Sequence, residues 1–336
     1  MWHWIRRIVI TAVVLLICAA AVGVAYQSRA TRRDLATQEP PGTLVDVGGH
    51  RLHIWCTGTG TPTVVLDTGL GGTAFDWGYV QPAVAKVTRV CSYDRAGMGY
   101  SDPGPHPRTS RQIGDELAAL LNGHSIQGRV ILVGASIGGW NVRLFASEYR
   151  RRVAGLVLVD ARHEDQSERM AAIGAAEHAP WVARVAAPVA YLGIARFLDI
   201  VPGLPVHSYA PEVRQYVKAT RFRSSALITA ANELRYGSVS AAQVRSARRA
   251  LDIPVVVVSA GERGSDAAEM LSALQRDQAT LSRQSCHVIA ERSGHAIAFG
   301  QPEIVVKAIQ ATVDATRHVA PVLNCESINT SLVLGR

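Results

Sequence analysis

The chain has 336 residues, enough to bury a full hydrophobic core in one large domain or two ordinary ones, and its 48% hydrophobic and 18% charged composition excludes a disordered chain. The balance of 35 basic against 27 acidic residues leaves a formal charge of +8. No aromatic-interleaved basic stripe or nucleic-acid motif accompanies that excess, so nucleic acid is not an expected partner and the arginines read as a solvated surface suited at most to anionic lipid.

In chain order, Arg6 and Arg7 precede an uncharged, mainly apolar, proline-free run over residues 8–26. A helix of that length just spans the hydrocarbon of a bilayer, so residues 1–28 read as a signal anchor, with a signal peptide cleaved near Gly23-Val24-Ala25 as the alternative. Either way the chain is exported or membrane-bound, and the globular part is expected to be anchored and extracytoplasmic, or secreted. Arg29, Arg32 and Arg33 compete with Arg6 and Arg7 under the positive-inside rule, leaving orientation open. The polar stretch 29–42, with Pro40-Pro41, is expected to be a linker.

Beyond it, short apolar runs punctuated by glycine alternate with helix-period segments, the pattern of an α/β domain. Candidate strands are 43–47, 51–57, 63–67, 89–93, 129–133, 153–159, 254–259 and 286–290, the first two joined by the hairpin signal Asp46-Val47-Gly48-Gly49-His50. A helix is expected from about Thr109, where Gln112 three residues on gives a capping-box signature. Residues 161–250 contain helix-like stretches broken by Pro180, Pro188, Pro202, Pro205 and Pro211 and no convincing strand, which predicts an inserted helical cap. Its Trp181, Tyr191, Phe197 and Leu198 are candidates to shape an apolar acyl pocket.

The run Gly134-Ala135-Ser136-Ile137-Gly138-Gly139 lies where the fifth strand meets a helix. Glycines allow a turn too tight for larger neighbours, and such a turn lifts a serine hydroxyl above the sheet edge, the setting of a nucleophile elbow. A serine is a poor nucleophile until a base takes its proton. His295, in Ser293-Gly294-His295 after the last strand, is the histidine best placed for that role.

Four ordered segments carry a family resemblance over about 43–316. They are Asp67-Thr68-Gly69-Leu70-Gly71-Gly72 with Trp77 downstream, the turn from Tyr93-Asp94-Arg95 through Gly97, Gly99 and Ser101-Asp102, the elbow, and the His295 loop. Together they resemble the α/β-hydrolase superfamily. The resemblance implies an α/β fold with an eight-stranded, mostly parallel sheet of α/β-hydrolase type, helices on both faces and an inserted helical cap. It divides the chain into a core of 43–160 and 251–318, a cap of 161–250 and a tail of 319–336. It further implies Ser136 as nucleophile, His295 as base and the Leu70 and Ile137 amides as an oxyanion hole. In the commonest family pattern the acid follows the seventh strand, but Gly264 stands where an aspartate is usual. Asp160, ending the sixth strand, is therefore favoured over Glu262 and Asp266, with helix capping as its alternative role. Asp94 is expected to tie down the turn from Arg95 to Ser101.

Members with an aspartate at the elbow include haloalkane dehalogenases and epoxide hydrolases, whereas a serine there points to esters, thioesters or amides. The expected activity is hydrolysis of a small-molecule carboxylic ester through an acyl-enzyme intermediate. An amidase, aminopeptidase or thioesterase on the same residues, and a non-catalytic ligand-binding protein, are the alternatives. No metal or cofactor is implied. In the family's sheet the second and fourth strands are neighbours, so a Cys56–Cys91 bridge is expected, and Cys286 is placed to hold the tail through Cys325, with buried free thiols as the alternative.

Overall fold

The computed structural model of the chain describes residues 2–174, 182–200, 203–262, 265–317, 323 and 325–329. A single sheet is built from β1 (Thr43–Asp46), β2 (Arg51–Thr57), β3 (Thr63–Asp67), β4 (Val90–Tyr93), β5 (Val130–Ala135), β6 (Val153–Val159), β7 (Val255–Ala260) and β8 (Ser285–Ala290), in the spatial order β1-β2-β4-β3-β5-β6-β7-β8. The β1–β2 and β2–β4 pairs are antiparallel and the remaining pairs are parallel. Parallel neighbours require crossovers, and helices supply them. Helix α1 (Trp2–Thr37) precedes the sheet, α2 (Gln81–Val84) leads to β4, α3 (Ser110–Gly123) to β5 and α4 (Gly138–Glu148) to β6. Between β6 and β7 come α5 (Gln166–Ala172), α6 (Val182–Tyr191), α7 (Ile194–Phe197), α8 (Arg214–Thr220), α9 (Ser224–Arg235) and α10 (Gly237–Ala247). The chain continues through α11 (Ser265–Ala279) to β8, then α12 (Ile297–Gly300), α13 (Pro302–Thr316) and α14 (Cys325–Asn329).

The near-continuous Val and Leu content of β5, β6 and β7 follows from helices on both faces, since neither face of those strands meets water. Alternate residues serve opposite cores. Ile131, Val133, Val157, Val256 and Val258 pack with Ile304, Val305, Ile309 and Val313 of α13, whereas Leu132, Leu156, Leu158, Val255 and Val257 pack with Leu117 and Leu120 of α3 and Phe145 of α4. The β1–β2 hairpin closes as an Asx turn, with Asp46 Oδ1 accepting from the N–H groups of Gly48 and Gly49. Cys56 and Cys91 are register partners on β2 and β4 and form a disulfide with 4.0 Å between Cα atoms. Cys286 of β8 is bridged to Cys325 at the start of α14.

Three sequence expectations are corrected. Residues 29–37, assigned to a linker, continue α1 and leave only 38–42 between helix and sheet. Polar but helix-tolerant residues, with no proline before Pro40, allow the continuation, and contacts with α8 and α6 stabilise it. At the start of α3 Thr109 caps the N–H of Gln112, but the Gln112 amide donates to Glu116 and does not complete a capping box. Strand β5 runs past residue 133 through Gly134 to Ala135, because Gly134 and Ala135 still pair with β6. Trp181 and most of the 319–336 tail lie outside the described residues.

Candidate active site

β5 ends one residue before Ser136 and α4 begins at Gly138, so the backbone must reverse over Ser136 and Ile137. It does so with Ser136 at φ 51°, a left-handed conformation that costs a non-glycine residue about 1–3 kcal/mol. The turn is held by the Ser136 N–H donating to the Val159 carbonyl and by the Ser136 carbonyl accepting from Gly139 and Arg162. Its tightness dictates the flanking glycines. A Cβ at Gly134 would sit 2.6 Å from the Gly138 carbonyl oxygen, and one at Gly138 would sit 2.6 Å from that of Thr68.

Asp160 directly follows β6 and is also left-handed, at φ 40°. Its N–H donates to the Val258 carbonyl, which turns the buried carboxylate toward the loop after β8. There His295 Nδ1 lies 2.6 Å from Asp160 Oδ2, and His295 Nε2 lies 3.0 Å from Ser136 Oγ. Asp160 Oδ1 accepts from the Ala260 N–H. An ionised carboxylate only accepts hydrogen bonds, so Nδ1 must carry the imidazole proton and Nε2 presents its lone pair to the serine hydroxyl. The His295 side chain is 64% exposed while that of Asp160 is 3% exposed, which leaves the ring edge open to a ligand and its orienting group shielded.

Sequence reasoning thus named three residues that the fold brings into one hydrogen-bonded row. Glu262 lines the same cavity, but it is exposed and anchored through its N–H to the Ser293 carbonyl. Asp266 sits in the first turn of α11, with its side chain outside the described residues. Asp94 is where the turn reading put it, accepting from the N–H groups of Tyr100 and Ala74 and pairing with His53 at 2.8 Å.

Leu70 lies in the loop after β3, and Ile137 is the residue preceding the first turn of α4; both line the cavity beside Ser136. The loop passes close to the serine, since a Cβ on Gly69 would be 3.3 Å from Ser136 Cβ. Arg95 fixes the loop, donating from Nη1 to Asp67 and the Thr68 carbonyl and from Nη2 to the Gly69 carbonyl. It also forms a two-bonded pair with Glu233 of α9, at 2.8 and 3.0 Å. Burial opposes the charge of Arg95, but Glu233 and Asp67 overcome it and raise the guanidinium well above the ordinary arginine value. Sequence reasoning missed this arginine as a positioning residue. Its signal was a charged side chain directly before the small and apolar segment Ala96-Gly97-Met98-Gly99.

Residues 64–308 match the family model described as Alpha/beta hydrolase family. The chain belongs to the α/β-hydrolase family. A 2-hydroxy-6-oxononadienedioate/2-hydroxy-6-oxononatrienedioate hydrolase of Cupriavidus pinatubonensis is 36% identical over 114 residues, covering 32% of this chain and 39% of that one. The protein named Probable transporter efuK, of Hormonema carpetanum, is 32% identical over 135 residues, 38% of this chain and 19% of the relative. The matches take in half or less of the length of the curated relatives. Among solved structures, a thermophilic esterase from Thermogutta terrifontis superposes with a TM-score of 0.60 at 26% identity, over 83% of this chain and 99% of that one.

This α/β-hydrolase encloses a cavity of about 1000 Å³ over Ser136, with Trp140, Met170, Leu204, Tyr209, Leu234 and Phe299 in its walls. Charged groups also face it. Burial lowers Arg162 to about 10 and pushes the Asp76 carboxyl above its ordinary value, against hydrogen bonds from Thr68 and Thr73. The cap side chains expected to line an acyl pocket do not: Tyr191, Phe197 and Leu198 are exposed on the outer surface. A proline-broken, apolar segment gives no local signal of which side faces inward. Among the described residues no group of three His, Cys, Asp or Glu side chains is arranged to hold a metal ion.

Proposed function

We propose that this α/β-hydrolase cleaves carboxylic esters by a two-step acyl-enzyme route while α1 holds it to a membrane. The observation that carries the reading is the row Ser136 Oγ, His295, Asp160, with both hydrogen bonds at 3.0 Å or less. His295 Nε2 takes the hydroxyl proton as Ser136 Oγ bonds to the ester carbonyl carbon. The Asp160 carboxylate stays ionised and stabilises the imidazolium. The Leu70 and Ile137 N–H groups hold the oxyanion, which collapses as the alcohol leaves with the proton from His295. Water then repeats the sequence, with His295 as base and Ser136 as leaving group. No cofactor, metal or nucleic acid enters this reading. The strands of 43–160 and 251–318 carry the reacting groups, and 161–250 closes the cavity as a cap.

Helix α1 is long and apolar enough to cross a membrane, and the apolar side chains of its first half are exposed. Two disulfides favour an oxidising compartment. The helix supports a membrane anchor, and the disulfides support a catalytic domain outside the cytoplasm. Labelling with a serine-directed fluorophosphonate tests the chemistry. The wild type is expected to label, and Ser136→Ala and His295→Ala to lose the label; failure of the wild type beside a reactive control hydrolase refutes the reading. A panel of matched esters, amides and thioesters then tests the substrate class, with esters expected to turn over fastest.

A further inference from the structure

The second half of α1 is clamped to the cap along one face. Gly23, Gln27, Thr31 and Asp34, spaced by four, four and three residues, form that stripe. A Cβ on Gly23 would lie 2.6 Å from the Leu192 carbonyl oxygen, so the α6–α7 turn rests directly on the helix backbone. Gly193, left-handed at φ 70°, faces the Tyr26 ring, and an added Cβ there would be 3.0 Å from Tyr26 Cδ1. Gln27 is buried, donating to the Phe222 carbonyl at 2.6 Å and to Ser224 Oγ, and accepting from Arg196 Nε at 3.0 Å. Arg196 also bonds Thr31 and pairs with Asp34.

This clamp fixes the height of residues 191–200 relative to the apolar run of α1. Leu192 is level with Gly23, three residues before that run ends at Tyr26, which is about 4.5 Å along the helix axis. The same ten residues expose Tyr191, Ile194, Phe197, Leu198 and Ile200, with Phe197 81% and Ile200 63% accessible. Scattered surface apolar residues need no explanation, but this concentration sits on one tip beside a membrane-length helix. Just beyond the run, Arg29, Arg32 and Arg33 are exposed, at the level expected for anionic headgroups.

We infer that the α6–α7 tip, residues 191–200, enters the headgroup and acyl boundary of the bilayer that α1 crosses. The inference rests on the anchor reading of α1. Its occupant is lipid because the patch starts beside the last apolar turn of the lipid-facing helix, where Leu192 and Gly193 meet Gly23 and Tyr26. Insertion of about 5–10 Å is typical for an apolar surface of this kind. Gly203 and Leu204, three and four positions after Ile200 in sequence, are both in the wall of the Ser136 cavity. The substrate class this favours is an ester dissolved in the bilayer.

The test uses the full chain with Cys18→Ala in vesicles containing anionic phospholipid, carrying one nitroxide at a time on Phe197→Cys, Leu198→Cys, Val14→Cys or Glu269→Cys. Collisions with oxygen and with a water-soluble nickel chelate report depth. Positions 197 and 198 are expected to show a several-fold higher oxygen-to-nickel ratio than 269, while 14 reports the acyl core. If 14 is in the acyl core and both tip positions are as aqueous as 269, the inference fails and the anchor stands. If 14 is aqueous, the anchor reading fails and takes the inference with it. Immobilised tip labels shielded from both reagents identify a protein partner or a second copy and overturn the lipid assignment.

Discussion

Asp160→Asn separates the orienting role of this carboxylate from its role as a structural acceptor. Asp160 Oδ1 accepts from a backbone N–H, that of Ala260, while Oδ2 faces His295 Nδ1 at 2.6 Å. An asparagine must keep its carbonyl oxygen toward Ala260, because turning it would bring two N–H donors together. Its amide nitrogen then faces Nδ1 and donates to it, so Nδ1 loses its proton and Nε2 gains one. The protonated Nε2 now donates toward Ser136 Oγ and cannot act as a base. A wrong tautomer of this kind costs roughly 10,000-fold in kcat, equivalent to about 5.4 kcal/mol of barrier. Folding stability changes little, because shape and the Ala260 bond are retained. Initial rates on a chromogenic short-chain ester, with urea unfolding as the stability control, measure both quantities. A folded Asp160→Asn protein that keeps more than about a tenth of wild-type kcat contradicts the tautomer reasoning. So does a comparable loss in Glu262→Gln or Asp266→Asn with Asp160→Asn active.

Arg95→Met strands Asp67 and Glu233 in the interior and is expected to cost about 3–5 kcal/mol in urea unfolding; adding Glu233→Gln should recover part of it, and a loss below about 1 kcal/mol contradicts the buried network. Glu164 gives a pH prediction. Burial opposes its ionisation, but Arg143 and His163 outweigh that and hold its carboxyl far below its ordinary value of 4.5. Its contribution is therefore complete above 4.5 and is lost as the pH falls from there toward the depressed folded-state value. Glu164→Gln should be less stable at neutral pH and show a flatter decline between neutral pH and acid, measured by denaturant unfolding across that range. An unchanged slope contradicts the assignment.

What was legible in the sequence was local. The elbow could be read because Gly134, Ser136 and Gly138 must be neighbours to make the turn, and the strands because buried parallel strands need unbroken Val and Leu. His295 and Asp160 were found by their places after particular strands, which depended on the family resemblance. The missed features rest on partners distant in the chain. Arg95 and Glu233 are 138 residues apart, and Gln27 and Phe222 are 195 apart. Local periodicity carries no record of such pairings. The end of α1 was misjudged for the same reason: polar residues in isolation suggest a linker, but Thr31 and Asp34 hold their helix against a cap that folds much later in the chain.

Helix α9 touches both unusual contacts of this molecule. Ser224, in its first turn, receives the Gln27 amide of α1, and Glu233, near its end, grips the arginine that secures the Gly69 loop. Nine residues of helix, about 13.5 Å, separate them. The helix is therefore a strut between α1 and the loop beside the serine. Removing the whole of α1, through Thr37, to dispense with the apolar run would also remove Gln27 and with it one abutment of that strut. Rates measured on such a fragment would describe a Gly69 loop with a loosened brace.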